Sequence, residues 1–151
     1  MSVDFYVAVP AANWPTAAAV RQCMTDRGFP VAIKHFPILD SASVVRDGVL
    51  VAIDGKDAYL EGELAPAALM PEEVQDVNGR LTGVSASERI RGTDAIMSIR
   101  IATPNEMRAT SYVISALIVC FGGFGFEPQG DTYGREDFAR VLVQDAGALK
   151  G

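Results

Sequence analysis

The residues able to do chemistry in this chain are few and badly placed for it. Histidine occurs once, at His35, where it alternates with Val31 and Ile33 as a residue at the end of a strand. A Ser-His-Asp arrangement stays formally open, but no G-x-S-x-G is present. Cys23 and Cys120 fall in separate apolar helical patterns, so one histidine and two cysteines make no metal site. The cluster Gly122-Gly123-Phe124-Gly125 follows a helical pattern and precedes a strand. A phosphate cradle needs the reverse order, with amides pointing out of a helix N-terminus. Glu61 and Glu63 share a strand face without a neighbouring base, the pattern of a solvated edge. Asp54, Asp57 and Glu61 do not match a calcium loop. No nucleophile has a base at readable spacing. The sequence therefore assigns no catalytic residue, no metal ligand and no cofactor.

One segment keeps polar groups together. Glu127-Pro128-Gln129-Gly130-Asp131-Thr132-Tyr133 leaves a short aromatic strand and leads into a helix. Sites gather at such strand ends, because a rigid element there presents a loop to solvent. Glu127, Gln129, Asp131 and Tyr133 are the candidate binding residues, with Arg100 or Arg135 as a cation that could converge on them. An ordinary turn with Asp131 or Thr132 capping the next helix is the competing reading. Trp14, the one tryptophan, is either a hydrophobic anchor or part of a contact surface.

These residues depend on the elements that carry them. Val3, Phe5, Val7 and Val9 share one face over 3–9, with Asp4 and Tyr6 opposite, which predicts a strand. Asn13-Trp14-Pro15 opens a helix running to Arg27, with Asn13 as cap and Gly28 as stop. Strands are expected at 31–36, 49–53 and 58–64, with Asp54-Gly55 as the hairpin turn. Residues 65–94 read as a long irregular connection, with a short helix starting at Pro71. A strand follows at 95–101. Thr103-Pro104-Asn105-Glu106 is then a capping box, opening a helix that ends before Gly122 and is apolar almost all round beyond Tyr112. A strand at 124–126 and a helix at 135–146, with Phe138, Val141 and Leu142 inward, complete the chain. The order is β-α-β-β-β-loop-β-α-β-α. It predicts one α+β domain over 1–151, built on a single mixed or antiparallel sheet with helices mainly on one face.

Composition narrows the partners. The chain has 151 residues, 49% hydrophobic, with a formal net charge of −6. Lys and Arg total 13 and are scattered, which argues against nucleic acid and against an anionic membrane. The uncharged run 109–126 is interrupted by Ser, Thr and glycines and is too short in its apolar part to span a bilayer. Met1-Ser2-Val3-Asp4-Phe5 lacks the basic start of a secretory leader. A cytoplasmic protein with both cysteines free and buried is expected.

The stretch Asp94-Ala95-Ile96-Met97-Ser98-Ile99, with Asn105-Glu106-Met107-Arg108-Ala109, Ala116-Leu117, Gly122-Gly123 and Glu127-Pro128-Gln129, resembles the C-terminal pattern of small bacterial proteins, some of them immunity-protein-like. It covers the last third of the chain. The resemblance implies a non-enzymatic binding role. Together these readings predict a non-catalytic protein-interaction module whose partner is protein and basic. The alternative is a small enzyme or ligand-binding domain with a carboxylate site around Glu127–Tyr133. The oligomeric state is left open.

Overall fold

The computed structural model describes residues 3–81, 89–129 and 132–148. The described elements are β1 (Val3–Pro10), α1 (Ala17–Arg27), β2 (Val31–His35), β3 (Val49–Ile53), β4 (Lys56–Leu60), β5 (Gly62–Pro66), α2 (Pro71–Leu81), β6 (Asp94–Ile101), α3 (Pro104–Phe121), β7 (Phe124–Glu127), β8 (Thr132–Gly134) and α4 (Glu136–Ala148). The fold is α+β, and the pairings between these strands are antiparallel.

The strands form two sheets instead of one, ordered β5-β6-β1-β7-β8 and β2-β3-β4. The alternating stretch 58–64, continuous in sequence, is divided at Glu61: β4 belongs to the small sheet and β5 to the large one. Two glycines allow this corner. A Cβ on Gly62 would lie 2.0 Å from the Ser98 carbonyl oxygen, and a Cβ on Gly48 would lie 2.0 Å from that of Leu60. Only a residue without a side chain tolerates backbone that close. The described parts of the connection expected at 65–94 are more ordered than its composition suggests, while residues 82–88 lie outside the described residues. They hold the end of β5, a short 3-10 turn at Ala67–Leu69, and α2 with Glu72 and Glu73 in its first turn.

The large sheet is covered on both faces, unequally. Phe5, Val7, Val9, Met97, Ile99 and Ile101 are buried on the face shared with α1, α3, α4 and the small sheet. Val77 and Leu81 of α2 cover the other face over Ala8, Ile96, Phe124 and Phe126. Among the described helices, α1, α3 and α4 thus share one face, and α2 takes the other. The second cover also explains where strict alternation fails. Ala8 and Ile96 are buried under α2, whereas Tyr6 and Ser98, one pair further along, are not.

α3 is the central helix. The Thr103 Oγ accepts from the Glu106 amide (3.2 Å), and the Glu106 carboxylate reaches back to the Ala102 amide (2.9 Å). Gly122 ends the helix with φ 74°. Residues 108–118 are all buried. Each large apolar side chain so enclosed contributes about 1.5–3 kcal/mol. No helix among the described residues is long and apolar enough to cross a membrane.

Two expectations are corrected here. α1 begins at Ala17 and is capped by Thr16, whose hydroxyl accepts from the Ala19 amide (3.1 Å). Asn13 instead donates from Nδ2 to the Phe121 carbonyl (3.4 Å), bracing the end of α3. Cys23 and Cys120 are not free thiols. They form a disulfide with Cα atoms 6.4 Å apart. The apolar stripe of α1, with Val20, Cys23 and Met24 buried, packs on α3 and brings together residues separated by 97 positions. Cys23 is buried, while Cys120 lies at the exposed end of α3.

Candidate functional site

The register of the large sheet decides which predicted residues can meet. Val7 lies opposite Gly125 and Tyr6 opposite Phe126. Phe5 and Val7 face the helices, so Gly125 and Glu127 face them too, and Phe124 and Phe126 face α2. Asp4 lies opposite Arg100, on the α2 side. Glu127 and Arg100 therefore project from opposite faces of one sheet.

Glu127, Gln129 and Tyr133 line one groove, of about 740 Å³, between the β7–β8 end of the sheet, the start of α3 and one side of α4. Its floor is apolar, made by Val3, Phe5, Met107, Phe138, Val141 and Leu142. Its charged lining consists of Glu127, Asp137 and Asp145, with no Lys or Arg among the described residues there. The described entry to the turn, Glu127 to Gln129, is held in place. The Glu127 carboxylate, on a residue only 8% exposed, accepts from the Gln129 amide (2.8 Å). The Gln129 side-chain oxygen accepts from the Asp4 amide (3.3 Å), tying the turn to β1. Tyr133 packs its ring against Phe124, with centroids 6.4 Å apart. Asp131 lies outside the described residues.

Sequence reasoning missed the α4 contribution. Phe138 and Leu142 are buried as expected, but Val141 is 50% exposed and opens onto the groove. The available signal was Asp137-Val141-Asp145, an apolar residue with an acid four positions away on either side.

Arg100 takes part in a second opening, a polar cleft of about 510 Å³ on the half of the sheet that α2 leaves bare. Its floor is Asp4, Tyr6, Ser98 and Arg100, and Arg100 Nε lies 3.4 Å from the Asp4 carboxylate. Glu61 and Glu63 wall it from β5 and the corner before it, and Arg46 Nε lies 3.9 Å from Glu63. Burial pushes the Tyr6 hydroxyl above the usual tyrosine range, and the carboxylates of Asp4 and Glu73 push the same way. The strand side of Glu61 and Glu63 expected to be wet is the wall of this cleft.

Trp14 belongs to neither opening. Its Nε1 donates to the Pro37 carbonyl (3.2 Å) and its ring stacks on Phe36 with centroids 5.4 Å apart. It anchors the approach to α1 against the small sheet. His35 pairs with Asp47 through Nε2 on an exposed part of the surface. No group of three His, Cys, Asp or Glu side chains that could hold a metal ion occurs among the described residues. The groove can bury apolar side chains and attract cations; the cleft can satisfy a polar, mixed-charge surface.

No family model matches this chain, and neither a curated protein nor a solved structure is significantly similar to it.

Proposed function

We propose that this chain is a non-catalytic protein-interaction module, and that its contact surface is the groove between α4 and the β7–β8 turn. One observation carries the reading: the groove joins an apolar floor to a lining whose charged side chains, among the described residues, are carboxylates, within a chain of net charge −6. An apolar floor supplies binding energy in proportion to the area removed from water. An acidic lining selects a basic partner and speeds encounter with it. The immunity-like resemblance of the C-terminal third, which supplies most of the groove, points to the same class of protein.

The test is capture of a partner from the native host by the intact protein and by Val141→Arg. Val141 is half-exposed, so the variant keeps the fold while placing a bulky cation in the groove. Loss of the captured protein at unchanged melting temperature is expected. Capture that survives the substitution removes the groove from this reading.

A second reading, a small enzyme or ligand-binding domain, is supported by the Glu127 carboxylate, which lines the groove while almost wholly enclosed. Buried carboxyl groups are common acids and bases in enzymes. Turnover of a hydrolase substrate that Glu127→Gln abolishes and Asp137→Asn spares would establish it. Location follows the sulfur chemistry. A cytoplasmic protein keeps its thiols reduced, whereas the Cys23–Cys120 disulfide fits an oxidising compartment. Trapping with an alkylating reagent during lysis of the host distinguishes the two.

A further inference from the structure

We infer that the groove takes a basic amphipathic helix of the protein partner, laid alongside α4. This rests on the interaction-module reading and specifies the shape and charge of the segment that binds. Asp137, Val141 and Asp145 occupy positions i, i+4 and i+8 of α4 and line the groove together. At the rise of a helix, the two carboxylates stand about 12 Å apart along its axis. Between them Val141 is an apolar side chain left half in water, with Phe138 and Leu142 buried behind it.

A helix packed against α4 has the same repeat as α4. With one apolar residue over Val141, its Lys or Arg residues four positions before and four after meet both carboxylates at once. An extended strand rises about 3.3 Å per residue and reaches the same pair only with cations about four positions apart. Strand addition is also poorly supported by the neighbouring edge, because among the described residues β8 spans just Thr132–Gly134 for main-chain pairing. A second copy of this chain is disfavoured by charge, since two acidic surfaces would meet. Asp137 already accepts from Arg140 (3.1 Å), three positions along the same helix. That pair is exposed and contributes little, so a partner cation displaces it readily.

Synthetic peptides of about 16 residues, long enough to form a helix on binding, test the inference against the full chain. One carries Leu with Lys four positions before and after it, on an otherwise Ala- and Gln-rich background. The second keeps the composition but spaces the lysines four apart. The third replaces Lys by Glu. Fluorescence anisotropy is expected to show the first binding at least about tenfold more tightly than the others, with a gain of helical circular dichroism. Asp137→Lys with Asp145→Lys should weaken the first peptide about tenfold and let the Glu peptide bind in its place. Both positions are exposed, and an unchanged melting temperature verifies the fold. Equal binding by the two lysine spacings, binding indifferent to the charge reversal, or no binding by the first peptide overturns the inference. So does a dimer of this chain that the charge reversal dissolves. If the first peptide fails while Val141→Arg still abolishes capture of the native partner, only the helical assignment falls. If Val141→Arg leaves that capture intact, the interaction reading falls with it.

Discussion

The Arg108 guanidinium on α3 donates from Nη1 to the Asp54 carboxylate in the β3–β4 turn, across 54 positions of sequence. Its Nε also donates to the Ala146 carbonyl (3.3 Å), in the last turn of α4. One buried cation therefore joins the central helix, the hairpin of the small sheet and the C-terminal end of α4, where helix carbonyls favour positive charge.

Arg108→Met should lower stability by about 1–3 kcal/mol, because it strands the Ala146 carbonyl while keeping most of the buried volume. Asp54→Asn should cost less, since Asp54 is half-exposed and solvent screens its charge. Asn also tolerates the φ of 52° found there, whereas Asp54→Val adds backbone strain. Denaturant unfolding of the three variants should rank them Asn, then Val and Met. A fully neutral Arg108→Met would remove the three-way link from the account of stability.

The disulfide closes a segment of 97 residues. Replacing both cysteines by serine should lower stability by about 2–5 kcal/mol, mostly by freeing the unfolded chain. Intact-mass measurement without reductant should find both hydrogens missing, and thiol reagent should label neither cysteine until a reductant is added. Rapid labelling of Cys120 in unreduced protein contradicts the bond.

Two glycines should respond in opposite directions to alanine. Gly62→Ala places a Cβ 2.0 Å from the Ser98 carbonyl oxygen and must push β5 away from β6, at a cost of about 3 kcal/mol. Gly79, on the exposed side of α2, has nothing within 4 Å of a Cβ. Gly79→Ala should therefore raise stability by about 0.5–1 kcal/mol. Thermal melts of both variants decide the matter. Similar melting temperatures would mean that the sheet-to-sheet corner does not depend on Gly62.

Tyr6 ties the polar cleft to pH. Its hydroxyl is pushed up by burial and then by Asp4 and Glu73. In the unfolded chain tyrosine loses its proton near pH 10, while folded Tyr6 keeps it to higher pH. Above that point the folded state binds more protons than the unfolded, so stability falls as pH rises. The contribution is whole below the unfolded value and is lost as pH climbs through the folded one. Tyr6→Phe should flatten the alkaline limb of the stability curve, and absorbance titration at alkaline pH should lose a phenol that ionises above the usual tyrosine range. An alkaline limb identical in both proteins would assign the loss to another group.

The sequence alone determined the parts of this protein that close over short distances. The capping box at Thr103–Glu106, the Asp54-Gly55 turn and the alternation of β1 each depend on groups a few positions apart, so their chemistry is written in consecutive residues. The length and burial of α3 were legible for the same reason, since a segment apolar on nearly every side has nowhere to go but the core.

Tertiary structure decided what depends on pairing between distant segments. A strand's alternation says that its residues divide between two faces, but only cross-strand register says which face of one strand matches which face of another. Glu127 and Arg100, grouped by sequence reasoning, were separated by the Tyr6–Phe126 and Asp4–Arg100 pairings, which set them on opposite sides of the sheet. Cys23 and Cys120 met because α1 packs on α3, a contact that neither helix encodes by itself. Val141 belongs to the apolar stripe of α4 by spacing, yet Phe138 and Leu142 are buried while Val141 stays half-exposed at the rim of the groove. Helical periodicity names the stripe; the width of the surface it packs against determines how much of that stripe remains in contact with water.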